Sequence, residues 1–333
     1  MRRLVSAILL LFALPLVAQR PAHYDSKDAD FTNGLELFSK AKYGAAQYEF
    51  QHVIERIGDR FANTRVEAEY YSALCAVRLF NDDAGYRLLT FMDEHPEDLH
   101  VPAIRFELFK YMFAQKKWDD AIAWSDKVDR LVLSVEETEE YRFKRGYSYF
   151  QMGDEEKALG EFSQVTTTEG TYGTPSLYYT SHIQYDKGNY ETALIGFRKL
   201  ENDENFSKLV PFYIAEILFL QGKYEELSTY SKPILESPDP GTRRVGDINR
   251  LAGEANYRTG NYEAALPYLQ KSIQRVGVDR NDRYILAYTY YKTGDYQKAL
   301  GDFNIVANGE DSLAQLAVYH MADCYLKLNN KNY

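Results

Sequence analysis

The side chains of this chain best suited to chemistry are six histidines, two cysteines and 49 carboxylates. Their spacing fits none of the common reactive patterns. There is no H-E-x-x-H to put two imidazoles on one helix face, no G-x-x-x-x-G-K-[ST] to cradle phosphates, no G-x-S-x-G and no C-x-x-C. The densest cluster is D-E-H-P-E-D-L-H, where Asp93, Glu94, His95, Glu97, Asp98 and His100 offer ligands to a hard or borderline metal. A solvated loop punctuated by Pro96 accounts for the same letters, because a metal site needs fixed geometry and this stretch shows no constraint. His182 and His320 stand alone on helical segments, as core or groove residues. No catalytic residue, cofactor site or metal ligand is assigned, and the chain reads as a non-enzyme.

Composition narrows the partners. The formal charge of −10 disfavours nucleic acid and anionic lipid, both of which need clustered Lys and Arg. The N-terminus, MRRLVSAILLLFALPLVAQR, pairs Arg2 and Arg3 with an apolar run from Leu4 to Val17 and the small residue Ala18. That is the layout of a secretory signal peptide over residues 1–18, too short to span a bilayer comfortably. Export to the periplasm or envelope is therefore expected, with no integral membrane span. Cys75 and Cys324 sit in apolar helical patterns about seven repeats apart. Helices packed roughly 8–10 Å apart cannot bring such residues within the ~7 Å that a disulfide needs, so both read as buried free thiols.

The elements that position these residues declare themselves by repetition. Y-R-T-G-N-Y-E-A-A-L (Tyr257 to Leu266) returns 34 residues later as Y-K-T-G-D-Y-Q-K-A-L (Tyr291 to Leu300). In the second copy, Gly294 suits the left-handed conformation that ends a helix, and Asp295 is a natural N-cap for the next. Ala299 is small where two helices approach, and Phe303 and Val306 continue an apolar stripe. Helix, tight turn, helix is the unit. Further copies centre on Gly153-Asp154, Gly188-Asn189 and Gly222-Lys223; those at Tyr43, Asn81 to Ala84 and Lys117-Trp118 lack the turn glycine. Repeats start near residues 27, 65, 102, 139, 174, 208, 246, 280 and 315. Thr166 to Pro175 and Ser237 to Arg244 read as inter-repeat loops, and Ser134 to Glu137 as a capping box.

These repeats resemble the tetratricopeptide repeat family, whose unit is 34 residues. Position 8 is small at Gly34, Gly146, Ala215, Gly253, Ala287 and Ala322, and position 20 is Ala in seven of the eight repeats that reach it. Trp at position 4 is absent, and Pro at position 32 is clear only as Pro96. The resemblance covers the chain after the leader. It implies an all-α, right-handed superhelical solenoid of antiparallel helix hairpins over residues 19–333, with about eight complete repeats and a ninth that stops before its second helix. The chain is accordingly expected to continue beyond Tyr333, and the uncapped last helix offers a surface for self-association.

In proteins that this one resembles, the first helices line the concave surface. Position 12 reads Phe38, Ala76, Phe113, Phe150, Tyr185, Phe219, Tyr257, Tyr291 and Leu326; position 5 reads Phe31, Glu69, Phe106, Phe143, Tyr178, Phe212, Arg250, Tyr284 and Tyr319. Seven residues apart, the two positions share a helix face. The position 5 rings either line the groove or replace the missing Trp as packing between repeats. Position 12 is read as groove-facing, with Tyr185, Tyr257 and Tyr291 its most exposed members. Lys110, Gln151, Asp186, Glu216, Glu254, Arg258 and Lys292 are the polar neighbours. The expected function is a non-catalytic envelope scaffold holding a protein or peptide segment against Phe113, Phe150, Tyr185, Phe219, Tyr257, Tyr291, Arg258 and Lys292. The alternative is a carbohydrate-binding module that uses the same rings as stacking platforms.

Overall fold

The computed structural model describes residues 29–328. The expected leader lies outside the described residues, as does the stretch from 329 to 333. The helices run in pairs: α1 (Ala29–Ser39) with α2 (Tyr43–Arg56), α3 (Asn63–Arg78) with α4 (Ala84–Glu94), and α5 (Val101–Ala114) with α6 (Trp118–Ser125). A 3-10 turn at Arg130–Val132 precedes α7 (Val135–Gln151) with α8 (Glu155–Phe162), and α9 (Gly173–Asp186) with α10 (Tyr190–Lys199). Then come α11 (Val210–Leu220) with α12 (Tyr224–Glu236), α13 (Val245–Arg258) with α14 (Tyr262–Ser272), α15 (Arg280–Lys292) with α16 (Tyr296–Val306), and α17 (Ser312–Lys327). Among the described residues there is no strand, and the architecture is an all-α solenoid of helix hairpins. No described helix is long and apolar enough to cross a membrane.

The sequence reads as one array. By compactness the described residues divide into a first block that ends at Val128 and a second block that begins at Asp129. The join falls where Asp129 caps the 3-10 turn, its side chain accepting from the Leu131 N–H at 3.0 Å, instead of leading directly into a helix.

The repeat chemistry explains each hairpin. Alanines at position 20 (Ala46, Ala84, Ala121, Ala158, Ala193, Ala265 and Ala299) are completely buried where the paired helices meet. At position 8 a Cβ on Gly34 would sit 2.7 Å from the Phe50 ring, on Gly146 2.9 Å from Phe162, and on Gly253 2.7 Å from Leu269. The smallness there is a packing demand from position 24 on the second helix. Phe50, Phe162, Phe197 and Phe303 at position 24 are completely buried. Each also stacks on a ring of the next first helix: Tyr71, Tyr179, Tyr213 and His320, with centroids 4.9–5.7 Å apart and planes within 20°. One buried ring thus closes its own hairpin and docks the following one. Such burial stabilises by roughly 1.5–3 kcal/mol per side chain.

Several local expectations resolve differently. The turn glycines do adopt left-handed backbone, and Asp295 and Asp154 do cap their helices by accepting the Lys298 and Lys157 N–H groups. The Asn residues in the same place do not: Asn189 reaches Gln184 and Asn261 reaches Thr259. The loop read through Pro175 ends earlier, since α9 begins at Gly173, whereas the loop over 237–244 and the Ser134–Glu137 capping box stand as expected. Cys75 and Cys324 are buried and free. Burial pushes the Cys75 thiol up to about 12 and that of Cys324 to about 11.

Candidate functional site: the first-helix ladder

Successive first helices pack on one another directly: α1 on α3 in the first block, and α11 on α13, α13 on α15 and α15 on α17 in the second. Among the described residues no second helix packs comparably on the next second helix. Each of these stretches is therefore tighter on the first-helix side, and that side is its inner wall.

The two ring positions behave differently. Position 5 is mostly a packing position: Phe106, Tyr178 and Phe212 are buried, and Phe31, Phe143, Tyr178 and Tyr284 meet the position 24 ring of their own hairpin at 5.7–6.2 Å. Of the two readings open for it, packing describes these residues. Position 12 is half-buried in Phe113, Phe150, Tyr185, Phe219, Tyr257 and Tyr291 alike. Its rings are fastened across the hairpin turn to an aromatic five residues on: Phe113 to Trp118, Tyr185 to Tyr190, Phe219 to Tyr224, Tyr257 to Tyr262 and Tyr291 to Tyr296, at 5.6–6.0 Å. Phe150, followed at that spacing by Glu155, rests instead on Tyr147, Tyr179 and His182.

The ladder is then tied to the next repeat through polar groups. The Tyr185 hydroxyl donates to Glu216 at 2.7 Å, and Tyr291 donates to Asp323 at 2.6 Å. Each carboxylate stands at position 9 of the following first helix. Burial and the Glu216 contact push the Tyr185 phenol up, and the Asp323 bond, with burial, pushes Tyr291 up to about 12. At position 13, Arg258 lies over the Phe219 and Tyr224 rings at 5.0 and 5.6 Å and donates to the Tyr224 hydroxyl at 3.1 Å. It also bonds Glu254 at 2.7 Å, which raises the guanidinium pKa further. Lys292 holds its ammonium 5.3 Å over Tyr262 and 5.9 Å over Tyr288.

Seven of the eight sequence-selected residues thus lie in the second block as one connected series, while Phe113 belongs to the first. What sequence reasoning overlooked is the partner ring: Tyr190, Tyr224, Tyr262 and Tyr296 clasp the ladder. Its signal was present as an aromatic pair five residues apart flanking the turns at Gly188, Gly222, Gly260 and Gly294. The loop cluster also rearranges. His95 and Glu94 meet Glu69 from α3, whereas His100 turns to Asp98 at 2.8 Å and lies tilted against the Tyr70 ring.

Comparison with known proteins agrees with this architecture. A family model described as tetratricopeptide repeat matches residues 140–168, and one described as anaphase-promoting complex, cyclosome, subunit 3 matches residues 258–333. No curated protein matches the chain. The apo form of RapI is similar over 92% of this chain and 99% of its own, at 14% identity and a TM-score of 0.52. A tetratricopeptide repeat protein from Parabacteroides merdae is similar over 79% of this chain and 98% of its own, at 12% identity and a TM-score of 0.45. The likeness to RapI is one of fold.

Proposed function

Because this chain is a tetratricopeptide-repeat protein, we propose that it is a non-catalytic scaffold of the bacterial cell envelope that holds a protein segment along the inner wall of its second block. The observation that carries the reading is the series from Tyr185 to Lys292, in which half-buried rings are pre-ordered by turn clasps and flanked by the exposed cations Arg258 and Lys292. Rings already fixed lose little entropy when a partner covers them, so they suit an extended segment better than they suit a small substrate. Placement in the envelope rests on the leader-like sequence of residues 1–18. The carbohydrate alternative needs ring faces free for stacking, and Arg258 over Phe219 and Lys292 over Tyr262 already cover two of them.

The test begins with capture of the partner from envelope extract and mapping of the bound segment. A synthetic copy of that segment is then titrated against wild type and against Arg258→Ala with Lys292→Ala. Arg258 also neutralises the buried Glu254, which keeps Arg250 as its other partner, so affinity is compared on folded protein, where it should fall at least about tenfold, as for loss of an interface hot spot. Unchanged affinity in the double variant would reject the inner-wall assignment.

A further inference from the structure

We propose that Glu69, Glu94 and His95 in the first block form a binding site for one divalent transition-metal ion of the zinc type. The ligand-capable atoms of the three side chains all lie within 4.8 Å of one another. His95 Nε2 and Glu69 Oε2 form a hydrogen-bonded pair at 2.9 Å, and a separation wider by a few tenths of an ångström, about 3.3–3.6 Å, is the edge between neighbouring ligands around a four-coordinate ion with bonds of about 2.0–2.2 Å. One imidazole and two carboxylates are the donor set that such an ion shares with other borderline metals.

The surroundings position these groups. Arg65 donates from Nε to Glu69 Oε1 at 2.9 Å, which leaves Oε2 aimed at His95. A hydrogen-bonded outer partner of this kind is what usually orients a ligating carboxylate. Glu94 is the last residue of α4 and His95 its C-cap, so an ion here would sit at the negative end of the helix dipole. Glu69 and Glu94 also line a cleft of about 210 Å³ between α2, α3 and α4, where Gln51, Ser72 and Thr90 add further polar groups. Three protein ligands leave room for water or for a carboxylate of a bound partner.

Counted back from the hairpin turn, at Phe80 here as at Gly153 or Gly294 elsewhere, the position 5 place of this repeat belongs to Tyr70, which packs on Phe91 at 5.9 Å. Glu69 stands one residue before it on α3, and its carboxylate meets the single His-Pro of the chain. The competing cation is Arg60, paired with Glu94. It is largely exposed, and an exposed pair of this kind is weak enough for a divalent ion to displace.

The full chain, freed of metal by chelator and exchanged into buffer, should take up one Zn²⁺ per molecule in equilibrium dialysis, with a matching rise in melting temperature. Glu69→Gln and His95→Asn should each weaken uptake by at least about tenfold. Glu94→Gln, at a more exposed site that the fold does not depend on, should do the same, and His100→Asn in the same loop should leave uptake unchanged. Absence of saturable Zn²⁺ uptake by the wild-type chain would overturn the proposal. So would uptake as tight as that of the wild type in both the Glu94→Gln and Glu69→Gln variants, with circular dichroism confirming that both are folded.

Discussion

In the second block the hairpin turns place Gly153, Gly188, Gly222, Gly260 and Gly294 at φ between 70 and 86°, whereas in the first block the same turn position is Ala41, Phe80 and Lys116 at φ of 55–58°. The hydrogen bonds are alike in both. The residue after the turn donates back across it, as Asn81 does to Ala76 at 3.0 Å, Lys117 to Met112 at 3.0 Å and Asp295 to Tyr290 at 2.9 Å. This six-to-one bond is the Schellman closure of a helix, and it requires left-handed backbone whatever the side chain. A residue with a Cβ pays about 1–2 kcal/mol for that conformation, which glycine does not. Phe80 and Lys116 recover none of it by burial, because both are exposed. The packing of two helices therefore sets the turn, and glycine only relieves its strain.

The blocks also differ in what lines their first helices. In the second block Tyr185 and Tyr291 at position 12 are tied to carboxylates of the next repeat, while the first block carries Glu69 on α3, bound to His95. Alkali should expose this contrast with the largest effect. Burial pushes Tyr172 and Tyr257 up to about 12 and shifts Tyr178, Tyr179, Tyr185 and Tyr230 upward as well; the Asp323 bond does so for Tyr291. In the first block only Tyr70, near 12, and Tyr71 are raised among the described residues. A raised folded-state pKa means that the unfolded chain releases its proton first. Stability is then fully present below about pH 10 and falls as pH rises from there toward about 12. The second block should lose structure before the first. Helix content by circular dichroism should therefore fall before the emission maximum of Trp118 and Trp124 shifts, since both tryptophans lie in the first block. A shift of that maximum ahead of the helix loss would reverse the comparison.

Exchanging the turn residues should have a smaller, opposite-signed effect in the two blocks. Gly294→Ala should destabilise by about 1–2 kcal/mol in denaturant titration, and Lys116→Gly should stabilise by a similar amount. Phe80→Gly should also stabilise, because its exposed ring gives up little burial. If the two glycine-introducing variants are no more stable than wild type, the strain assigned to the first block is absent.

The smallest effect should come from Tyr291→Phe, which makes this rung resemble Phe113. It removes the 2.6 Å bond to Asp323 but keeps the clasp with Tyr296. A half-exposed bond of this kind should contribute about 1 kcal/mol or less. A loss several times larger would mean that the hydroxyl, more than the ring, holds α17 in place.

The sequence by itself determined the hairpins, because a helix pair needs a small residue at its closest approach and a breaker at its turn, and both leave letters at a fixed period. Ala46 to Ala299 at position 20, Gly34 and Gly253 at position 8, and the boundaries around Ser237 to Arg244 were all legible in this way. The left-handed turns at Ala41, Phe80 and Lys116 were not, since the conformation there is imposed by the packed helices and no residue type announces it. Nor was the division of the rings. Position 5 and position 12 share a helix face in one dimension, yet Phe197 and its equivalents fill the seam beside position 5 and leave position 12 half-open. Tertiary structure alone also decided that His95 meets Glu69, 26 residues away, and not His100 in its own loop. Periodicity specifies which residues face a neighbour; only the docking of one hairpin on the next chooses which atoms meet.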